Sequence, residues 1–272
     1  MPTWNAAAFI GPVLESLAAQ TYPNLEVLIS DDASSDSTAS ICEQFAASHP
    51  NFRLIRQPKR GGWINNANSL LQAAEGDYAF FAFHDDPAKP AYVARLVETL
   101  ERNPQAVLAF TDIELNRGPV SYRDLDGVAD RFERARRVLA QGDWWFAPNR
   151  GLMRMEAIRR LEGMRRHPAG EYMADWPWLL RLSLLGEFVR VPEPLIRKVW
   201  LKQGLSLTWT ANLWQRIGVT LACFRVIREA GFPLSQELQL YRERLLLSAR
   251  HWWWALHRRR SRARSSSAPK SS

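Results

Sequence analysis

The chain has 272 residues, 46% of them hydrophobic and 24% charged, a composition that suits one large globular domain or one domain with an appendage. No apolar run approaches the ~20 residues needed to cross a bilayer, and no signal-peptide pattern opens the chain, so a cytoplasmic location is expected. The formal charge of +8 sits mostly at the end: six cations and no acids follow from Arg258 onward, leaving +2 for residues 1–257, which argues against a nucleic-acid partner.

Met1-Pro2-Thr3-Trp4-Asn5 reads as the loop after a first strand that is itself missing. Either the sheet lacks that strand or the translation start lies upstream. The apolar spacing of Phe9, Val13, Leu14 and Leu17 predicts a helix over 8–20. Tyr22-Pro23-Asn24 is a turn, and Leu25–Ser30 a strand that runs into Asp31-Asp32. Asp36-Ser37-Thr38 can cap a helix over 39–48. A short strand at Phe52–Ile55 precedes Gly61-Gly62, which opens a helix over 64–74. Glu75-Gly76-Asp77 turns into a strand at Tyr78–Phe83 that runs into His84-Asp85-Asp86. A helix over 90–103 and a strand at Ala106–Phe110 follow. Strands alternating with helices of this length imply βαβ units and a mainly parallel sheet flanked by helices.

The second half is less regular. Residues 121–141 read as loops around a helix, 151–161 and 176–185 as helices, and Phe188–Pro192 as a strand. Residues 212–230 and 235–257 read as a helical C-terminal region, and 258–272 as a Ser/Arg-rich tail expected to be disordered. Cys42 and Cys223 match no metal or redox spacing and read as free thiols.

Two aspartate pairs at strand ends are the main chemical signal. Adjacent aspartates are poor strand material because the residue is disfavoured there and close carboxylates repel. At the carboxyl ends of parallel strands they face the crevice where open α/β sheets bind ligands. One pair taken alone fits a polar turn equally well; two at successive strand ends point to an acidic cleft. Aspartates reach a nucleoside diphosphate only through a cation, for which Mg²⁺ or Mn²⁺ is the usual solution. Asp175, in Glu171-Tyr172-Met173-Ala174-Asp175-Trp176-Pro177-Trp178, reads either as a helix N-cap before Pro177 or as a functional carboxylate. Trp176 and Trp178 read as a sugar-stacking surface or as core.

Pro2-Thr3-Trp4-Asn5, the run Gln20–Val27, Asp31-Asp32-Ala33-Ser34, Asp36-Ser37-Thr38, the Gly-Asp-Tyr before the second acidic strand and His84-Asp85-Asp86 follow one another. Together they resemble the inverting GT-A glycosyltransferases of family 2, strongly over residues 1–115 and more weakly to 206. The resemblance implies a GT-A fold in which 1–115 is the nucleotide-sugar half, 116–206 the acceptor-side half and 207–257 a helical appendage. It implies transfer of a sugar, with inversion, from a nucleotide-diphosphate sugar to a glycan or lipid-linked acceptor. Pro2, Thr3, Asn5, Asp31, Asp32, Asn68 and Asp85 then contact the donor, Asp85 and Asp86 hold Mg²⁺ or Mn²⁺, and Asp175 is the catalytic base.

The sequence also departs from that pattern. Phe83 replaces the first acid of the usual Asp-x-Asp-Asp, and His84 is either a ligand or a plain strand-end residue. Ala174 replaces the acid before the base, and Ala67 an arginine before Asn68. A histidine found before the later Gly-x-Ser region is absent from 199–206. These losses leave a weakly active or inactive nucleotide-sugar binding module as an alternative. A nucleotidyltransferase is a further alternative, but residues 6–11 lack the phosphate loop it needs. His251-Trp252-Trp253-Trp254-Ala255-Leu256-His257 followed by Arg258-Arg259-Arg260 reads either as a peripheral anchor on an anionic inner membrane face or as a last core helix before a solvated tail.

Overall fold

The computed structural model describes residues 1–116, 118–140, 146–199 and 212–249. Three strands form the first sheet, in the order β1 (Pro2–Thr3), β2 (Val27–Asp31), β3 (Phe52–Arg56), all parallel. Every residue of β2 is buried, which a strand with parallel neighbours on both edges requires, and this explains its unbroken apolar run. Helix α1 (Ile10–Ala18) buries Ile10, Val13, Leu14 and Leu17, an i, i+3, i+4, i+7 stripe, in the smaller of two hydrophobic cores. Helices α2 (Thr38–Ser48) and α3 (Trp63–Ala73) complete this unit.

The second sheet is built on the ten-residue β5 (Ala106–Leu115), which follows β4 (Tyr78–Ala79) and helix α4 (Tyr92–Arg102). β5 turns back into β6 (Gly118–Val120) and also pairs antiparallel with β7 (Leu152–Arg154), which pairs with β4. On its other edge lies β8 (Glu187–Arg197), parallel to it. Helices α5 (Arg131–Ala140), α6 (Phe146–Asn149), α7 (Met155–Leu161) and α8 (Asp175–Ser183) connect these strands. At the C-terminal side, α9 (Leu213–Glu229) opens with a capping box between Asn212 and Gln215, and α10 covers 234–249.

The α/β layering expected from the sequence is present, with four differences. Pro2–Thr3 is not loop but a two-residue first strand, and the Met1 amine extends it by donating to the Leu28 carbonyl at 2.5 Å. The strand expected over 78–83 is regular only at Tyr78–Ala79 and is antiparallel to its neighbour, so Asp85-Asp86 does not end a parallel strand as Asp31 does. The helix expected from Gly151 starts at Met155, because residues 152–154 pair with β5 and β4. Gly151 permits that approach: a Cβ there would lie 2.6 Å from the Ala109 carbonyl oxygen. β8 runs on through Pro192 and Pro194 to Arg197, with irregular register beyond Thr111, since proline gives the ladder no N–H.

Trp176 and Trp178 are almost fully buried, which settles them as core rather than as a sugar-stacking surface. The Trp176 indole donates to the Val138 carbonyl, and Arg244 from α10 lies over its ring at 4.1 Å. Cys42 and Cys223 are buried and free. Among the described residues no helix is long and apolar enough to cross a membrane. The Trp/Arg segment 251–260, the tail 258–272 and most of the Gly-x-Ser region lie outside the described residues.

Candidate functional site

The first aspartate pair lies where β1 and β2 end together, with Thr3 beside Asp31 in register. The Asp31 carboxylate closes the next turn: it accepts from the Ser34 backbone N–H at 3.0 Å and from the Ser34 hydroxyl. That hydroxyl in turn accepts from the Asn5 backbone N–H at 2.9 Å, and the Asn5 side-chain oxygen takes the Ser35 N–H at 2.9 Å. Asn5 and Ala33 both hold positive φ, +47° and +54°, so these hydrogen bonds stabilise a backbone that resists folding this way. Asp32 spans the crevice to the Gly61-Gly62 turn, its two oxygens accepting from those backbone N–H groups at 2.7 and 3.0 Å. The Thr3 hydroxyl and the Asn66 side-chain oxygen are buried beside this turn without hydrogen-bond partners among the described residues. Arg60 rests over the Trp4 ring at 3.5 Å on the rim.

The second pair has different partners. Asp86 is fully buried; its Oδ2 accepts from Arg150 Nε at 2.5 Å, and Lys198 Nζ lies 3.1 Å from its Oδ1. The same ammonium donates to Asp85 Oδ2 at 3.0 Å. His84 packs its ring on Phe9, with Nδ1 3.4 Å from the Pro2 carbonyl oxygen, as a strand-end residue would.

Arg150 and its neighbour Asn149 link this pair to Asp175. Asn149 Nδ2 donates to Asp175 Oδ2 at 2.8 Å, while Asp175 Oδ1 is buried without a hydrogen-bond partner among the described residues. Asp175 is the first residue of α8 rather than its N-cap, which is Ala174. Burial pushes its carboxyl up to about 7, against the opposing pull of nearby backbone N–H groups and the Arg150 charge. A carboxylate poised there can take a proton at neutral pH.

Comparison with known proteins places this arrangement. The family model for glycosyl transferase family 2 matches residues 1–161, more than half of the chain. The chain belongs to glycosyl transferase family 2. An uncharacterised glycosyltransferase of Haemophilus influenzae is 33% identical over 203 residues, 71% of this chain and 62% of that protein. Glycosyltransferase GlyG of Streptococcus pneumoniae is 29% identical over 105 residues, 39% of this chain and 34% of that one. The chain thus spans less than two thirds of these relatives. Among solved structures, Staphylococcus aureus TarS in complex with UDP-GlcNAc superposes with a TM-score of 0.70 at 17% identity, covering 90% of this chain and 70% of that one. The mannosyltransferase PcManGT of Pyrobaculum calidifontis, in complex with GDP-Man and Mn²⁺, gives 0.61 at 19% identity, covering 90% and 68%. These likenesses establish the GT-A fold.

Against that family, the expected Mg²⁺ or Mn²⁺ site on Asp85 and Asp86 fits poorly. Both carboxylates already engage side-chain cations, and the described residues hold no cluster of three His, Cys, Asp or Glu side chains able to ligate a metal. Mg²⁺ needs oxygen ligands at ~2.0–2.1 Å in near-octahedral array, where here an ammonium already bridges the pair.

Pro2, Thr3, Asn5, Asp31 and Asp32 lie together where β1 and β2 end. Asn68 is not part of that group: its amide bonds the Met164 backbone on both sides, at 2.8 and 2.9 Å, and ties α3 to the second unit. Sequence reasoning missed Asn149, Arg150, Lys198 and Glu171. The Glu171 carboxylate accepts from the Trp63 and Ile64 N–H groups and so caps α3 from a distance of 108 and 107 residues. For Arg150 and Asn149 the available signal was a polar Asn-Arg-Gly turn; for Lys198 there was none before the register of β8 was known.

Proposed function

We propose that the chain transfers a sugar, with inversion, from a nucleotide-diphosphate sugar to a hydroxyl of a glycan or lipid-linked acceptor. The observation that carries this reading is Asp175: a buried carboxylate with one oxygen fixed by Asn149, the other without a hydrogen-bond partner among the described residues, and a pKa near neutrality. The acceptor oxygen attacks the anomeric carbon, its proton passes to Asp175 Oδ1, and the carbon–oxygen bond to the diphosphate breaks on the opposite face. Pro2, Thr3, Asn5, Asp31 and Asp32 bind the nucleoside, where the ends of β1 and β2 meet the Gly61-Gly62 turn. The UDP-GlcNAc bound by TarS and the GDP-Man bound by PcManGT support a donor of this class.

A panel of nucleotide sugars tests the reading by release of nucleoside diphosphate. Turnover of at least one donor that is lost in Asp175→Asn, with binding retained, is expected. A chain that binds donors without turning any over would be a binding module instead.

A peripheral contact with an anionic membrane belongs to the same proposal. Leu213, Trp214, Ile217 and Leu221 stand exposed along α9, and Leu234, Leu238, Leu245 and Leu246 along α10, on the same hairpin that leads to the cationic end of the chain. Co-sedimentation with phosphatidylserine vesicles should fall on Trp214→Glu/Leu238→Glu substitution, and unchanged binding would refute the contact.

A further inference from the structure

We infer that Lys198 and Arg150 stand where family members hold a divalent cation, and that the Asp85-Asp86 site works without one. The part of this inference that concerns the diphosphate rests on the glycosyltransferase reading; the part that concerns the cation does not. Lys198 Nζ sits between the two carboxylates, 3.0 Å from Asp85 Oδ2 and 3.1 Å from Asp86 Oδ1, bridging them as a metal ion would. Arg150 closes the other oxygen of Asp86 from the buried side. Two carboxylates against two monovalent cations give the same net charge as two carboxylates against one divalent ion. Adding Mn²⁺ to the filled site would leave two surplus positive charges there.

Both cations are held by structure rather than by chance approach. Lys198 follows β8 directly, and its backbone N–H donates to the Glu114 carbonyl at 3.0 Å. The loop after the aspartates is laced to the same strand: Lys89 N–H donates to Leu195 at 2.8 Å and Arg197 N–H to Pro87 at 3.0 Å. Arg150 is anchored by its own carbonyl, which accepts from the Tyr92 hydroxyl, and its guanidinium lies 4.8 Å from the centre of the Phe83 ring. Phe83 is the residue that replaces the first acid of the family pattern. The lost acid has thus become an aromatic surface for the arginine that pairs with the remaining acid, and the two departures form one arrangement. With a donor bound, the charge that develops on a departing nucleoside diphosphate is met by Lys198, the outer of the two cations, while Arg150 holds Asp86 from behind.

Electron paramagnetic resonance of Mn²⁺ titrated alone into the full chain tests the cation assignment. The wild-type chain should leave the free-ion signal unchanged at sub-millimolar metal. Lys198→Met, which keeps the aliphatic stem and removes the charge, should bind Mn²⁺ at least about tenfold more tightly than wild type. Micromolar binding by the wild-type chain that is lost in Asp85→Asn overturns the inference, as does a folded Lys198→Met chain that gains no binding. In a second arm, UDP and GDP are titrated in EDTA and in Mn²⁺. Equal affinities in the two support the inference, and an affinity about tenfold or more higher in Mn²⁺ overturns it. Absence of any nucleotide binding would overturn the transferase reading instead, with the Mn²⁺-alone arm still deciding the cation assignment.

Discussion

The two aspartate pairs look alike in the sequence and are opposites in the structure. Among the described residues Asp31 and Asp32 accept only from neutral donors: the Ser34 hydroxyl and N–H and the Gly61 and Gly62 N–H groups. Those bonds build a turn and bring no countercharge to it. Asp85 and Asp86 meet Lys198 and Arg150, so the second site is neutralised before any ligand arrives. A repeated motif therefore says where acids lie, whereas their partners, distant in sequence, decide what charge a ligand encounters.

The contrast can be broken at several points. Asp175, alone among these five aspartates in having neither a cation bonded to it nor, among the described residues, a hydrogen-bond partner for its second oxygen, should show the largest effect. Asp175→Asn is expected to lower turnover by about 10²–10⁴-fold while donor affinity measured by calorimetry stays unchanged. The rate should fall as pH drops below about 7, where burial sets this carboxyl, because the base is then protonated. Its raised pKa also means that the folded chain keeps a proton which the unfolded chain releases above ~3.9. Stability should therefore fall as pH rises from there to about 7, and thermal melting of Asp175→Asn should lack that part of the slope.

Next in size is Arg150→Met, which leaves Asp86 buried beside one cation instead of two and should cost about 3–5 kcal/mol in denaturant unfolding. Adding Asp86→Asn should restore much of that loss. In the first pair, Asp32→Asn leaves one of the two glycine N–H groups without an acceptor and should cost only about 1–3 kcal/mol. If Asp32→Asn costs as much as Arg150→Met, the distinction between a neutral turn and an ionic site is wrong. An effect of similar size, about 1–3 kcal/mol, is expected from Gly62→Ala, because a φ of +87° with a ψ of 165° is a backbone conformation essentially confined to glycine. Its Cβ would stand 2.5 Å from Glu171 Oε1, so Glu171→Ala should relieve part of the cost.

Much of this was legible in the sequence for local reasons. The apolar stripe of α1, the buried run of β2 and the glycine break before α3 are short-range signals, and each marks its element to within a few residues. Elements whose form depends on distant neighbours were not legible. Residues 152–154 become a strand because β5 and β4 lie beside them, and 80–83 leave the ladder although their composition favours it. The site follows the same rule. The acids could be read from strand ends, but Arg150 and Lys198 reach them across 64 and 113 residues, and nothing local marks either as an ion-pair partner. Asn68 shows the converse, a motif residue whose amide serves a backbone 96 residues away.

The most direct test of the account is nucleoside diphosphate release from a nucleotide-sugar panel, measured on the full chain in excess EDTA and again with Mn²⁺, alongside Asp175→Asn. Turnover of a donor in EDTA, little changed by Mn²⁺ and lost in Asp175→Asn, is expected. Turnover that requires Mn²⁺, or that survives loss of the Asp175 carboxylate, would contradict it.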